Sequence, residues 1–295
     1  MKSISETSKG IILIVSSAFC FAMMAVFVRL AGNINFIQKA FFRNVVSFVI
    51  AFVTIIFQVK NNGKECIAVS KESWLYLFLR AIAGTIGIFG NFYAIDRLVL
   101  SDASILNKMS PFFAILFSFV LMKEKIKPVP LICIITAFCG ALLVIKPSFN
   151  FSQTLPSLAG FASGIGAGFA YACVRKLGTL KCNGKVVILF FSAFSCIVSL
   201  PFIFANFDPM NWQQILFLCL SGVCAAGGQF TITAAYFHAP AKDISIYDYS
   251  QIIFSTLLGF IFFGQLPDVL SFIGYTVIVA MAIVNFVYTK KVSKK

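Results

Sequence analysis

The sequence predicts an all-α integral membrane protein of ten transmembrane helices, arranged as two inverted five-helix repeats. Three observations predict it. Of 295 residues, 60% are hydrophobic and only 12% charged, where a soluble domain runs about 45–50% apolar and about 25% charged. Ten apolar runs follow one another, each near the roughly 20 residues that a bilayer requires, which leaves about 95 residues for loops and ends. The first half, shifted by 141 residues, also falls on the second with polar residues in register. An ordinary soluble enzyme is excluded, and there is no room for a sizeable soluble domain.

Reading apolar runs between charges and turn residues gives spans at 10–30, 36–59, 74–95, 101–122, 128–146, 157–176, 185–206, 213–236, 244–265 and 269–288. The first follows Lys2 and Lys9, as a signal peptide would. Its apolar run is too long for such a segment and no small-residue cleavage site closes it, so it reads as an uncleaved span. Cytoplasmic loops are richer in Lys and Arg. With the N-terminus inside, inside segments hold 17 of the 24 basic residues and outside segments 4, while Arg43, Arg80 and Lys108 remain within spans. Both termini are therefore expected in the cytoplasm of a multi-pass cell inner membrane protein. The net charge of +14 is a topology signal and a contact with the lipid leaflet, so nucleic acid is not needed as a partner.

Under the shift, Ser101–Ile126 lies on Lys242–Pro267, placing Asp102 on Asp243, Ser104 on Ser245, Asn107 on Asp248 and Glu124 on Gln265. Because each half has five spans, the second enters the membrane the other way up. That is a transporter signature, with a substrate site expected near the midplane between halves. The expected units are 10–147 and 157–288, one rocking against the other.

Several stretches resemble the EamA type of the drug/metabolite transporter superfamily. They are Phe41-Phe42-Arg43-Asn44, Ser110-Pro111-Phe112 leading to Lys123-Glu124-Lys125, Gly140, Tyr249-Ser250-Gln251, Phe263-Gly264-Gln265, Leu266-Pro267-Asp268 and Gly274. The resemblance covers about residues 10 to 288 and implies two EamA-like five-helix repeats. The last stretch is most similar to members proposed to carry S-adenosylmethionine or riboflavin. Two departures stand out: Ile252 lies where the first repeat has Pro111, and Gln265 where the family usually has Glu.

Ionisable groups inside a span are costly and mark substrate paths. Arg43 and Lys108 each lie about seven residues into their spans, roughly 10 Å below the outer boundary. Two cations at one depth are placed to hold an anionic or zwitterionic group, although each could instead snorkel, or Arg43 tie carbonyls at a helix end. Arg80 shares a helical face with Gly84, Gly87 and Asn91. The ninth span carries Ser245, Asp248, Gln251 and Ser255 along one face, and its repeat partner presents Ser104, Asn107 and Ser110 beside Lys108. Asp248 is placed to pair with Lys108, structurally or as a proton acceptor, and Tyr249 to stack on a planar substrate or to sit at an interface. The substrate-binding candidates are thus Arg43, Arg80, Asn91, Asn107, Lys108, Asp248, Tyr249 and Gln251.

Gly160, Gly164 and Gly168 form a double GxxxG, for close packing within the molecule or in a homodimer. Nine cysteines without a CxxC and one histidine make a metal site or disulfide framework unexpected. No phosphate-cradling glycine loop points to ATP, and no cofactor is expected. The sequence reading is a secondary carrier of a small polar organic solute, anionic or zwitterionic. The rival readings are a membrane-embedded enzyme and a passive channel.

Overall fold

A computed structural model of the chain describes residues 5–97, 106–123, 127–145, 154–264 and 267–292. Among these residues all regular structure is helical. The spans are α1 (Glu6–Leu30), α2 (Phe36–Asn62), α3 (Lys71–Arg97), α4 (Ser110–Met122), α5 (Pro128–Ile145), α6 (Thr154–Thr179), α7 (Gly184–Ala205), α8 (Trp212–His238), α9 (Ala241–Phe263) and α10 (Val269–Val292). Eight are long and apolar enough to cross a membrane, and α4 and α5 are shorter apolar helices. Several outrun the predicted spans, as α2 does through Lys60 to Asn62. Hydropathy marks where the membrane interior stops, whereas a helix stops only where its hydrogen bonds do. Asp102, Ser104, Glu124 and Gln265, used above to align the halves, lie outside the described residues.

Asparagines start three helices: Asn35, Asn183 and Asn211 each accept a backbone N–H with the side chain, and Asn211 forms a capping box with Gln214. Such residues satisfy amides left without an intrahelical partner.

The fourth and ninth spans, predicted as continuous helices, are interrupted. Leu106 and Asn107 are helical, Lys108 and Met109 form a turn, and α4 resumes at Ser110. Pro111 lacks the N–H that would continue the ladder to Asn107, which accounts for the break. In α9 a helical turn at Ala241–Ile244 passes into a 3-10 stretch at Ser245–Tyr249 before the α-helix Ser250–Phe263. The interruption therefore persists where Ile252 stands in for proline. The two helices also end alike. Lys123 (φ 54°) and Gly264 (φ 64°), 141 residues apart, both adopt the left-handed conformation, and their amides donate to Phe119 and Phe260.

Contacts define two faces of the bundle. Glu6, at the start of α1, meets His238 at the end of α8 with Nδ1···Oε2 at 2.5 Å, and Asn285 of α10 donates to the Asp243 carbonyl. This is the terminal face. At the opposite face Asp208 ties the start of α2, accepting from the Asn35 amide at 2.6 Å, while Gln214 donates to the Ala31 carbonyl.

The helix pairs that pack most extensively are α1 with α8 and α3 with α6, followed by α5 with α10, α4 with α6, α2 with α7, α2 with α8 and α1 with α9. Every one of these joins the first half to the second. Exchanging each helix with the one five places along maps these pairs onto packed pairs. The resulting groups are α3, α4 and α6 on one side and α1, α8 and α9 on the other, each drawn from both halves. Two self-contained halves rocking against each other are not what this packing provides. Small residues make the close pairs: a Cβ on Gly90 would sit 2.6 Å from the Ala159 carbonyl oxygen, and one on Gly166 would sit 2.8 Å from that of Ala83. Gly140 and Gly274, quoted above for the family resemblance, meet across α5 and α10, a Cβ on Gly140 lying 3.0 Å from the Gly274 oxygen.

Candidate functional site

A cavity of about 140 Å³ lies between the two groups of helices. Its polar and charged walls come from Arg43 on α2, Arg80 and Asn91 on α3, Asn107, Lys108 and Ser110 at the broken start of α4, Gln229 on α8, and Asp248 and Gln251 on α9. Its apolar walls include Phe21 of α1, Tyr171 of α6 and Phe191 of α7. Of the eight sequence candidates, seven stand around this one space. Tyr249 does not: it is fully buried behind the cavity. Its hydroxyl donates to the Lys108 carbonyl oxygen at 3.3 Å, so it braces the interrupted stretch of α4.

The four charged groups are nearly withdrawn from solvent, with exposures of 5% for Arg43, 3% for Arg80, 7% for Lys108 and 5% for Asp248. Lys108 Nζ donates to Asp248 Oδ2 at 3.0 Å and to Gln251 Oε1 at 2.7 Å. This ion pair links α4 to α9 through the two interruptions. A discontinuous helix exposes backbone and side chains at mid-membrane only where it lines a cavity, and here both interruptions do.

Arg80 Nη2 donates to Gln229 Oε1 at 2.9 Å, and its guanidinium lies over the Phe191 ring, 3.7 Å from the centroid. Gly84 makes this possible, because a Cβ there would collide with Arg80 Nη1 and lie 2.8 Å from Phe191. Arg80 Nε, and Arg43 Nε and Nη1, are buried without a hydrogen-bond partner. Arginine keeps its charge in proteins. Among the described lining residues, Asp248 is the single carboxylate against three cations, and it is already engaged by Lys108. The cavity thus carries an excess of positive charge and unused donors.

The double GxxxG of α6 serves this site from behind. A Cβ on Gly164 would lie 2.5 Å from the Leu106 carbonyl oxygen, and one on Gly168 would lie 2.8 Å from that of Ser110. These glycines let the broken stretch of α4 lie against α6. Asn107 Nδ2 donates to Ser163 Oγ at 3.3 Å, and Ser163 Oγ donates to the Gly160 carbonyl at 2.6 Å.

Sequence reasoning missed Gln229, Tyr171, Phe191 and Phe21. Only Gln229 carried a signal, as an uncharged amide in an apolar span beside Gly228. The aromatics had none, being common throughout the chain. No cluster of three or more metal-ligating side chains occurs among the described residues.

Ten helical spans enclosing a charged cavity at two interrupted helices define a multi-pass membrane transporter, with a small-molecule solute and a lipid environment as its partners. Residues 8–146 match the EamA-like transporter family. Over that half the chain is similar to EamA-type members of the drug/metabolite transporter superfamily, and over most of its length to proteins named as transporters. It is 28% identical over 284 residues to the pseudopaline exporter of Pseudomonas aeruginosa, covering 96% of this chain and 97% of that one. It is 24% identical to a protein named as an uncharacterised transporter in Helicobacter pylori, over 91% of each. With the mouse solute carrier family 35 member G1 the identity is 27%, over 88% of this chain and 73% of that one. A crystal structure matches the fold with a TM-score of 0.80, at 16% identity, over 97% of this chain and 99% of the other. The family and these relatives bear the names of transporters rather than enzymes.

Proposed function

We propose that this protein is a secondary carrier, driven without ATP, that moves a small polar organic solute bearing an anionic group across the bacterial inner membrane by alternating access. Both termini face the cytoplasm in this reading, as the distribution of Lys and Arg supports. One observation carries the substrate class. Arg43 and Arg80 face the cavity with unused buried donors and no carboxylate of their own, and a buried charge is tolerable only when paired. A carboxylate or phosphate reaching both guanidiniums supplies that pairing. A zwitterion would place its cationic end near Asp248 and Gln251, so S-adenosylmethionine-like and amino-acid-like solutes fit the same layout. The relative named as an exporter of pseudopaline supports the organic character of the cargo.

Ligand pockets usually span about 300–1,000 Å³, so the 140 Å³ cavity must widen to admit such a solute. The moving units are the mixed groups α3, α4, α6 and α1, α8, α9, which part along the Lys108–Asp248 contact.

Counterflow in proteoliposomes tests the reading. Vesicles are loaded with a pooled panel of amino acids, nucleosides, S-adenosylmethionine, riboflavin and organic acids. The expected result is accumulation of a labelled anionic or zwitterionic member, abolished in Arg43→Ala. Accumulation of neutral members alone overturns the substrate class, and uptake without exchange points to a channel.

A further inference from the structure

Among the described residues, the packing departs from its two-fold pattern between α6 and α8. At the terminal face α6 packs against α8: a Cβ on Gly178 would lie 2.8 Å from the Phe237 ring, and the Tyr171 ring stacks on Tyr236 with centroids 5.2 Å apart. Arg175 Nη1 donates to the backbone carbonyls of Tyr236 and Phe237, both at 3.2 Å. These carbonyls belong to the last turn of α8. The donor that a longer helix would offer Tyr236 is missing, because position 240 is proline. A cation there also meets the negative end of the helix dipole.

The counterpart of this pair, on exchanging halves, is α1 with α3 at the opposite face. Among the described residues those two helices have no packing of that extent. Instead Phe21 and Met24 of α1 and Ile88, Asn91 and Phe92 of α3 line the cavity. The space between the groups therefore reaches toward the opposite face and is shut at the terminal one.

We infer that this is the conformation open away from the termini, and that Arg175 is a positioning residue of the gate closing the terminal face. The inference rests on the carrier reading above. Inverted repeats generate the second conformation by exchanging the arrangements of the two halves. In that state α1 closes on α3, α6 leaves α8, and Arg175 gives up its two carbonyls to water. Hydrogen bonds to backbone carbonyls at a helix end suit this role, since water replaces Arg175 there without stranding a buried charge.

The test uses full-length protein in proteoliposomes, with sidedness read from protease access to a C-terminal tag. Met24→Cys is exposed to an anionic, membrane-impermeant thiol reagent from each side, and labelling at position 24 is read by peptide mass mapping. Faster labelling from the side opposite the termini is expected. Arg175→Ala should raise labelling from the terminal side roughly tenfold, by loss of charge-assisted bonds that hold the closed population, with Arg175→Lys partly restoring the barrier. Faster labelling from the terminal side in the parent, or no change in Arg175→Ala, overturns the inference.

Should Arg175→Ala not fold, Gly178→Cys with Phe237→Cys gives a second reading. Oxidation should stop exchange while leaving position 24 labelled from the opposite side, and continued exchange in the crosslinked protein overturns the gate. Labelling needs no substrate, so its failure removes the gate alone, whereas absent counterflow bears on the carrier reading.

Discussion

Tyr249 and Lys108 occupy equivalent positions in the two halves, 141 residues apart, and the Tyr249 hydroxyl donates to the Lys108 carbonyl oxygen at 3.3 Å. One interruption thus braces the other. The carbonyl lies at the break in α4, where Pro111 and the turn deprive the backbone of its usual partners. Tyr249→Phe removes the donor and keeps the ring, leaving a buried acceptor unsatisfied at about 1–3 kcal/mol. A fall in melting temperature is expected with substrate affinity nearly unchanged, measured by thermal unfolding and by binding. A large loss of affinity at unchanged stability would instead make Tyr249 a substrate contact.

The ion pair yields the second prediction. Lys108 and Asp248 sit on opposite groups of helices, so their bond forms part of the resistance to opening. Removing one partner of a buried pair leaves an unpaired charge, at about 3–5 kcal/mol. Lys108→Ala and Asp248→Asn should each depress exchange strongly. The combined variant should lose less than the sum of the two, because neither charge is then stranded. A double-mutant cycle on exchange rate and stability measures this coupling, and strict additivity would show the pair to be idle.

How far these features were legible follows from what each residue type does in a bilayer. The spans were legible because a backbone in hydrocarbon must satisfy its own hydrogen bonds, which forces long apolar helices. The cavity's Arg43, Arg80, Lys108 and Asp248 were legible because ionisable groups inside a span are rare enough to single out. The 3-10 stretch at Ser245–Tyr249 was not, since Ile252 carries none of the warning that Pro111 gives. Nor was the exchange of partners between halves. It depends on which small residues meet, as Gly90 meets Ala159 and Gly166 meets Ala83, and helical spacing alone does not say which neighbour a glycine faces. Gln229 acquires meaning only once α8 is seen to face α3 across the cavity, where its amide oxygen orients Arg80.

Arg80 gives the third prediction. Its guanidinium is held flat on Phe191 while Nη2 bonds Gln229, leaving Nε unused. Lysine keeps the charge but loses the planar fork and the stack. Arg80→Lys should therefore weaken binding of an anionic solute by about 1.5–3 kcal/mol, the worth of hydrogen bonds to charged groups, with smaller effect on a neutral analogue. Competition between anionic and neutral analogues in binding assays measures the difference. Equal losses for both would assign Arg80 to architecture rather than recognition.

The left-handed helix ends provide a fourth, independent of transport. Lys123 and Gly264 terminate α4 and α9 at equivalent positions with φ of 54° and 64°. A side chain in this region incurs roughly 1–2 kcal/mol that glycine avoids. Lys123→Gly should therefore leave the protein as stable or more stable, despite the added backbone entropy of glycine in the unfolded chain. Gly264→Lys should destabilise it by a similar amount, and since a Cβ at Gly264 meets no atom within 4 Å, the loss comes from backbone conformation alone. Thermal unfolding of both variants, purified in the same detergent, measures the contrast. A Lys123→Gly protein clearly less stable than the parent would show that the Lys123 side chain holds the helix end by contacts that outweigh its backbone strain.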